Sequence, residues 1–310
     1  MPGVDYAPHR RSTRGRLSGA VTRGWERTVV TVFRVVSALL VRVPLRISEP
    51  IARLGFLAGY YLWPSKRRII KTNAAHVLGL PASHRDVAGL ARRIYGTYSR
   101  VAIEVMRLPG LPADEPARLM IREGQRHEEF LALCRQCAEE GRGIIAVSGH
   151  IGSIEVFAGA YAHEGLPTYG LADDSAFPEL FELLNASRAR WGVTIIPWKR
   201  LRDIFRVMRK PAILGMVVDW GYRSDDLPVR LFGSWTTLPA GPAALAARTN
   251  AVIVPVVARR IEDGRYTPVM YDPIEVVDTS PAALAAATQD IADALEDMVA
   301  DAPDQWYTFK

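Results

Sequence analysis

Hydrophobic and polar positions follow two rhythms along the chain, and the rhythm changes at Gly141. Residues 65–141 carry apolar positions at helical spacing, as in "SHRDVAGLARRIYGTYSRVAIEVMRL". After Gly141 the chain alternates short β-rich runs, at 144–148, 167–172, 193–198, 212–218 and 252–257, with helical patterns at 153–163, 177–191, 199–210, 240–249 and 280–301. This alternation predicts an α/β fold with a mostly parallel or mixed central sheet flanked by helices.

One segment near the end departs from the strand–helix alternation. "VVARRIEDGRYTPVMYDPIEVV" has two β-rich runs around Asp263-Gly264. An Asp-Gly pair between such runs is typical of a tight hairpin turn. The segment therefore predicts a hairpin at the edge of the sheet.

The N-terminal segment, residues 1–64, has a different character from the rest. Residues 27–64 are strongly apolar, but arginines interrupt them, so no uncharged run reaches the roughly 18 residues of a membrane span. On a helix, Arg23, Arg27, Arg34 and Arg42 fall within a sector of about 100°, opposite Val, Leu and Phe. This pattern favours an amphipathic helix lying in the plane of the lipid headgroups. A buried intramolecular helix and a single span with snorkelling arginines are the alternatives.

Charge supports the division of the chain into a segment 1–64 and an α/β domain 65–310. The formal net charge is +6, and residues 1–48 hold nine arginines against only Asp5 and Glu26. Such a basic, aliphatic segment predicts an anionic membrane surface as partner and no nucleic acid, because a nucleic-acid arm would lack the apolar face. Cys134 and Cys137 form a C-x-x-C pair without a second pair at matching spacing, so no metal site is expected.

The stretch "IIAVSGHIGSIEVFAG", residues 144–159, carries the candidate chemistry. His150 directly follows a buried strand, at the sheet edge where ligands bind in such folds. A neutral imidazole there can take a proton from a hydroxyl group. Glu155, in the first turn of the next helix, is predicted to lie at the other imidazole nitrogen and to stabilise the cation, while Gly149 and Gly152 keep the turn open. A purely structural histidine is the alternative, whereas "VSGH" does not match a G-x-S-x-G nucleophile elbow.

The same stretch resembles a known family. "SGHIGSIE" looks like the H-x₄-[D/E] box of the lysophospholipid acyltransferase superfamily, most closely in the bacterial branch of lipid A late acyltransferases and phosphatidylinositol mannoside acyltransferases. His150, Gly152, Ser153 and Glu155 match that box in register. Three later blocks are also similar: "NASRARWGVTIIP", the long segment that begins "GMVVDWGYRSDD", and "APDQWYTF".

The chain departs from the pattern of the lipid A enzymes at two places. The chain reads Asp219-Trp220-Gly221 where lipid A enzymes usually have Asp-Gln-Asp, and it ends on "QWYTFK" rather than Trp-x-x-His-Arg-Arg. The stretches "LPAGPAALA" and "QWYTF" look more like the mannoside-acyltransferase side of the branch.

The resemblance implies an acyltransferase that moves a fatty acyl chain from acyl-CoA or acyl carrier protein to a hydroxyl of a membrane lipid or glycolipid. It implies no cofactor beyond the thioester co-substrate, and a peripheral or monotopic enzyme on the cytoplasmic face of the inner or plasma membrane. His150 is then the general base and Glu155 orients it. A thioesterase or lipid hydrolase with the same His/Glu pair, and an inactive membrane-binding relative, are the alternative functions.

Further residues of the matched blocks are candidates for substrate binding. Arg188 and Arg190 are predicted to hold a phosphate of the donor or the acceptor, since a guanidinium forms two parallel bonds to phosphate. Their alternative is a solvated surface charge. Asp219 is predicted either to contact acceptor hydroxyls or to pair with Arg223.

Overall fold

A computed structural model describes residues 16–172, 177–220 and 226–308, with side chains from residue 25 onward. The helices are α1 (Arg16–Arg42), α2 (Leu45–Leu62), α3 (Pro64–Leu78), α4 (Arg85–Arg107), α5 (Glu115–Leu119), α6 (Gln125–Glu139), α7 (Ile154–His163), α8 (Pro178–Arg190), α9 (Leu201–Met208), α10 (Gly241–Thr249) and α11 (Pro281–Asp301). The strands are β1 (Ile144–Ser148), β2 (Thr168–Ala172), β3 (Val193–Pro197), β4 (Ile213–Val217), β5 (Leu227–Leu231), β6 (Ser234–Leu238), β7 (Val252–Arg260) and β8 (Tyr266–Met270).

Six strands form the central sheet, in the order β3-β2-β4-β1-β7-β8. The first five run parallel, and β8 pairs antiparallel with β7 at the edge. All five residues of β1 are buried, as expected for a central strand covered on both faces. The predicted α/β fold and the edge hairpin are therefore confirmed.

Helices cover both faces of the sheet, and side chains of β1 alternate between the two layers. Ile145 and Val147 belong to the core under α9, α10 and α11, whereas Ile144 and Ala146 belong to the core under α6 and α7. This is the two-residue period of a strand buried on both sides.

The small two-stranded sheet of β5 and β6 was not predicted from the sequence. Its turn places Phe232 and Gly233 at φ 50° and 71°, the positive values that a tight hairpin turn requires. Phenylalanine rarely adopts a positive φ, so "RLFGSW" lacks the Asn-Gly or Asp-Gly signal that marks such turns.

The N-terminal helix α1 has three sides rather than two. One side packs on the protein through the buried Val30 and Ser37, and a second side carries Arg27, Arg34 and Arg42, which are exposed. A third side leaves Val32, Val35 and Leu39 more than half exposed. Helix α2 likewise exposes Ile47, Ile51 and Leu54. These six residues are called the exposed apolar face.

None of the described helices is both long enough and apolar enough to cross a membrane. Association with a membrane and the domain boundary at residue 64 stay predictions.

A buried ionic network ties α2 to the sheet. Arg100 of α4 is 6 % exposed and donates to Glu49 of α2 at 2.7 Å and to Glu104 at 2.6 Å. The Tyr266 hydroxyl of β8 donates to the same Glu104 at 2.8 Å. A buried charge is tolerated only when it is paired in this way, so the network fixes α2, α4 and β8 relative to one another.

Candidate active site

His150 sits on a short loop that leaves β1 and enters α7. Gly152 in this loop has φ 59°, and a Cβ atom there would lie 2.0 Å from the Ala258 carbonyl oxygen, so no other residue fits. The Gly152 N–H donates to the Gln305 carbonyl at 3.1 Å, and the Tyr307 N–H donates to the His150 carbonyl at 2.7 Å. The C-terminal segment thus holds the histidine loop in place.

The carboxylate that contacts the imidazole is Asp219. The Nδ1 atom of His150 lies 2.6 Å from Asp219 Oδ1, and the His150 backbone N–H donates to Oδ2 at 2.8 Å. Asp219 comes two residues after β4, which is the neighbour of β1 in the sheet. The carboxyl ends of adjacent parallel strands meet at one edge, so the pair forms across the two strands.

Asp219 is almost fully enclosed by hydrogen-bond donors. Its side chain is 2 % exposed, and Oδ2 also accepts from Trp306 Nε1 at 3.0 Å and from Thr308 Oγ1 at 2.9 Å. Burial by itself raises the pKa of Asp219, but the hydrogen bonds and charge of His150 and the Trp306 hydrogen bond outweigh it, and the net pKa lies below the ordinary value. An ionised carboxylate only accepts hydrogen bonds, so Nδ1 carries a proton and Nε2 is the basic nitrogen.

The face of the imidazole is covered by Trp220. The two ring centroids lie 4.0 Å apart with an interplanar angle of 21°. Stacking of this kind restricts the rotation of the imidazole. His150 is therefore held at Nδ1 and on one face, with its side chain still 34 % exposed.

Glu155 does not lie beside His150, which corrects the predicted contact. Its carboxylate instead accepts from Arg188 of α8, with Nε at 3.1 and 3.0 Å from the two oxygens and Nη2 at 2.5 Å from Oε1. Ser153 caps α7, and its Oγ accepts from the Val156 N–H at 3.3 Å. This cap begins the helix so that Glu155 faces α8, while β4 brings Asp219 to the imidazole.

The remaining predicted site residues are distributed around the histidine loop. Arg188 lies in the same cavity wall as Gly152, Ser153 and Glu155. Arg190 points elsewhere, because its Nη2 donates to the carbonyls of Leu108 and Pro109 at 3.2 and 2.8 Å. Phosphate binding by these two arginines stays a prediction. Arg223, the predicted partner of Asp219, lies outside the described residues.

An apolar cavity of about 370 Å³ is lined in part by His150. It lies between the sheet and helices α4 and α7, and its lining is mostly apolar, with Tyr98, Val101, Leu119 and Val193 among the lining residues. Glu104, Glu155 and Arg188 contribute polar atoms to its wall. A cavity of this lining suits an extended hydrocarbon chain beside the basic nitrogen.

Two other features lie apart from this site. An open depression of about 550 Å³ on α9, lined by residues such as Arg202 and Arg206, touches none of the predicted site residues. Cys134 and Cys137 are buried free thiols in α6, and burial raises the pKa of Cys134 to about 12, so it is unreactive at neutral pH. Within the described ranges no cluster of His, Cys, Asp or Glu is arranged to hold a metal ion.

Sequence reasoning missed the partners that complete the site, which are Trp306 and Thr308. Both belong to the "APDQWYTF" block, whose match to the family was noted without a role. For Asp219 the sequence predicts a contact with acceptor hydroxyls or with Arg223, and its position beside His150 follows only from the pairing of β4 with β1.

Comparison with known proteins gives a family match and a similar protein. Residues 21–310 match the model of a family described as bacterial lipid A biosynthesis acyltransferase. The chain is also 25 % identical over 249 residues to a phosphatidylinositol mannoside acyltransferase of Mycolicibacterium smegmatis (strain ATCC 700084 / mc(2)155), which covers 77 % of this chain and 76 % of that protein.

Proposed function

Because the chain belongs to the bacterial lipid A biosynthesis acyltransferase family, we propose that it transfers a fatty acyl chain from a thioester to a hydroxyl group of a membrane glycolipid, with His150 as general base. The observation that carries this proposal is the His150–Asp219 pair, whose histidine lines an apolar cavity. The reaction requires no cofactor beyond the acyl thioester.

The proposed reaction proceeds in two proton transfers. Nε2 of His150 takes the proton of the acceptor hydroxyl as its oxygen attacks the thioester carbonyl carbon. The tetrahedral intermediate then collapses, the C–S bond breaks, and the imidazolium returns the proton to the departing thiolate. The products are an ester and a free thiol, and no acyl-enzyme forms.

Asp219 stabilises the imidazolium that exists between these two transfers. Its carboxylate stays ionised because four donors surround it, so it holds the Nδ1 proton throughout the cycle. In this arrangement Asp219 takes the orienting role that the sequence assigned to Glu155. Glu155 contributes to the reaction indirectly, because it holds Arg188 in the wall of the cavity.

The oxyanion of the intermediate needs hydrogen-bond donors near the histidine loop. The backbone N–H groups of His150, Gly152 and Ser153 already donate to Asp219, Gln305 and Ala258, so they do not serve. We assign this role to the backbone N–H groups of Gly149 and Ile151, since Arg188 already donates to Glu155.

The donor and acceptor are proposed from the cavity and the comparisons together. The cavity accommodates the acyl chain of acyl-CoA or of acyl carrier protein. The relative's name specifies a phosphatidylinositol mannoside, so a mannosylated phosphoinositide heads the acceptors to be tried. The exposed apolar face of α1 and α2, together with the arginines of α1, supports attachment to an anionic membrane surface at the cytoplasmic side.

The decisive experiment supplies an acyl thioester with and without glycolipid acceptor in mixed vesicles. Transfer gives an acylated lipid by mass spectrometry and thiol release that depends on acceptor. We expect His150→Ala to lower the rate by about 10²–10⁴ without loss of helical circular dichroism. Thiol release independent of any acceptor would instead indicate a hydrolase, and full activity in folded His150→Ala would refute the mechanism.

A further inference from the structure

Two glycines lie side by side in the wall of the apolar cavity. Gly170 of β2 pairs in register with Gly215 of β4, and both line the cavity. The same row of the sheet continues with Ile195 of β3 on one side and Ala146 of β1 on the other. Residues in one row project to the same face of a parallel sheet, so the two glycines leave a bare patch in an otherwise covered surface.

This bare patch lies far from the basic nitrogen. Ala146, the row neighbour in β1, precedes His150 by four residues, which is about 13 Å of extended strand. Strands β4 and β2 lie a further one and two positions across the sheet, at about 4.8 Å each. A chain whose carbonyl carbon sits at His150 therefore reaches the patch with its distal methylenes.

Backbone geometry does not require glycine at position 215. Neither glycine has a positive φ. A Cβ atom at Gly215 would meet only the Tyr169 carbonyl oxygen, at 3.6 Å, which is ordinary contact. At Gly170 a Cβ atom would lie 3.0 Å from Ile195 Cδ1, which is tight. Glycine inside a strand lowers stability and often marks the close approach of a ligand, so the empty volume at Gly215 is open to a substrate.

We propose that Gly215, together with Gly170, sets the length of acyl chain that the enzyme accepts. The inference rests on the proposed function, because the proposed function assigns the cavity to the acyl chain of the donor. The chain lies flat against the bare patch, and a side chain at 215 occupies the volume that the distal methylenes need. Each methylene that can no longer bind in the cavity lowers kcat/KM by about fourfold.

The test compares a series of acyl thioesters of increasing chain length in wild type, Gly215→Ala and Gly215→Val. We expect the preferred chain to shorten progressively, with the ratio of kcat/KM for long over short donors falling by roughly tenfold or more in Gly215→Val. Ile195→Ala opens the cavity beside Gly170 and should shift the preference toward longer chains. Gly89→Val, a matched change in α4 outside the cavity, should leave the profile unchanged.

Displacement of a fluorescent fatty acid by the same chain lengths gives a second readout that needs no turnover. If Gly215→Val does not fold, Gly215→Ala and Ile195→Ala carry the test. An equal loss of kcat/KM at every chain length, with an unchanged displacement order, would overturn the proposal. Absence of transfer in wild type would refute the proposed function instead, and the displacement order would still decide whether position 215 limits chain length.

Discussion

Two carboxylates, each paired with a nitrogen-bearing side chain, lie at the same edge of the sheet, and they differ in enclosure. Asp219 is 2 % exposed and has four donors from two parts of the chain, the histidine loop and the C-terminal segment. Glu155 is 24 % exposed, and its described hydrogen bonds all come from Arg188. A carboxylate that accepts from several fixed donors holds one position, whereas a single ion pair can rearrange with its partner. The comparison indicates that Asp219 holds the imidazole of His150 in place, whereas Glu155 holds Arg188 in the wall of the cavity.

The largest expected difference between the two pairs is in the rate of acyl transfer. Asp219→Asn should lower kcat by about 10²–10⁴, because an amide cannot hold the Nδ1 proton or stabilise the imidazolium. Glu155→Gln should lower kcat by about tenfold or less, since its carboxylate does not touch His150. Steady-state acyl transfer by both variants measures the difference. Equal losses in the two variants would show that the comparison is wrong.

A second difference should appear in stability rather than rate. Arg188 and Glu155 are 16 % and 24 % exposed, so replacing one of them leaves a partly buried charge without its partner. We expect Arg188→Met to lower the free energy of unfolding by about 1–3 kcal/mol, and the double variant with Glu155→Gln to lower it by less than the sum. Urea unfolding of the four proteins gives the coupling energy. A coupling near zero would mean that the pair does not support the wall.

The Trp220 ring that stacks on His150 gives a further test of how the imidazole is held. Trp220→Ala should lower kcat by about 2–10-fold, because one aromatic contact contributes about 0.5–1.5 kcal/mol. Trp220→Phe keeps a ring on His150 and should restore most of the rate. Steady-state acyl transfer by both variants measures the effect, and an unchanged kcat in Trp220→Ala would show that the stacked ring does not position the imidazole.

The smallest expected effect is the pH dependence of stability. The pKa of Asp219 is lowered in the folded protein, so its stabilising contribution is present above the unfolded-state pKa of about 3.9 and is lost as pH falls through the folded value. Asp219→Asn should therefore flatten the decrease of unfolding free energy below about pH 4. Urea titrations at several acidic pH values test this. An unchanged slope would contradict the lowered pKa.

The sequence predicts the sheet well because its strands are short β-rich runs, and the central run that forms β1 is buried along its whole length. The run at 144–148 coincides with β1, and the expected ends of β3 and β4 differ from the observed ones by one residue. Burial of such a run depends on its own composition. The position of His150 at the end of β1 follows directly.

The partner of His150 depends on contacts that local spacing does not contain. Glu155 is five residues away along the chain but begins a helix that faces α8, whereas Asp219 follows the neighbouring strand. Only the strand order decides which acid reaches the imidazole. The β5–β6 turn was missed for a related reason, because Phe232 adopts a backbone conformation that its residue type disfavours.

The hydrogen bonds from Trp306 and Thr308 to Asp219 have a consequence for the protein during its synthesis. Because domains begin to fold as the chain is made, β1 and β4 can pair while the last helix is still inside the ribosome. At that stage Asp219 lacks two of its donors and the histidine loop lacks its contact with Tyr307. In the nascent chain Asp219 is therefore incompletely enclosed, and the proposed base is complete only after residue 308 has left the ribosome.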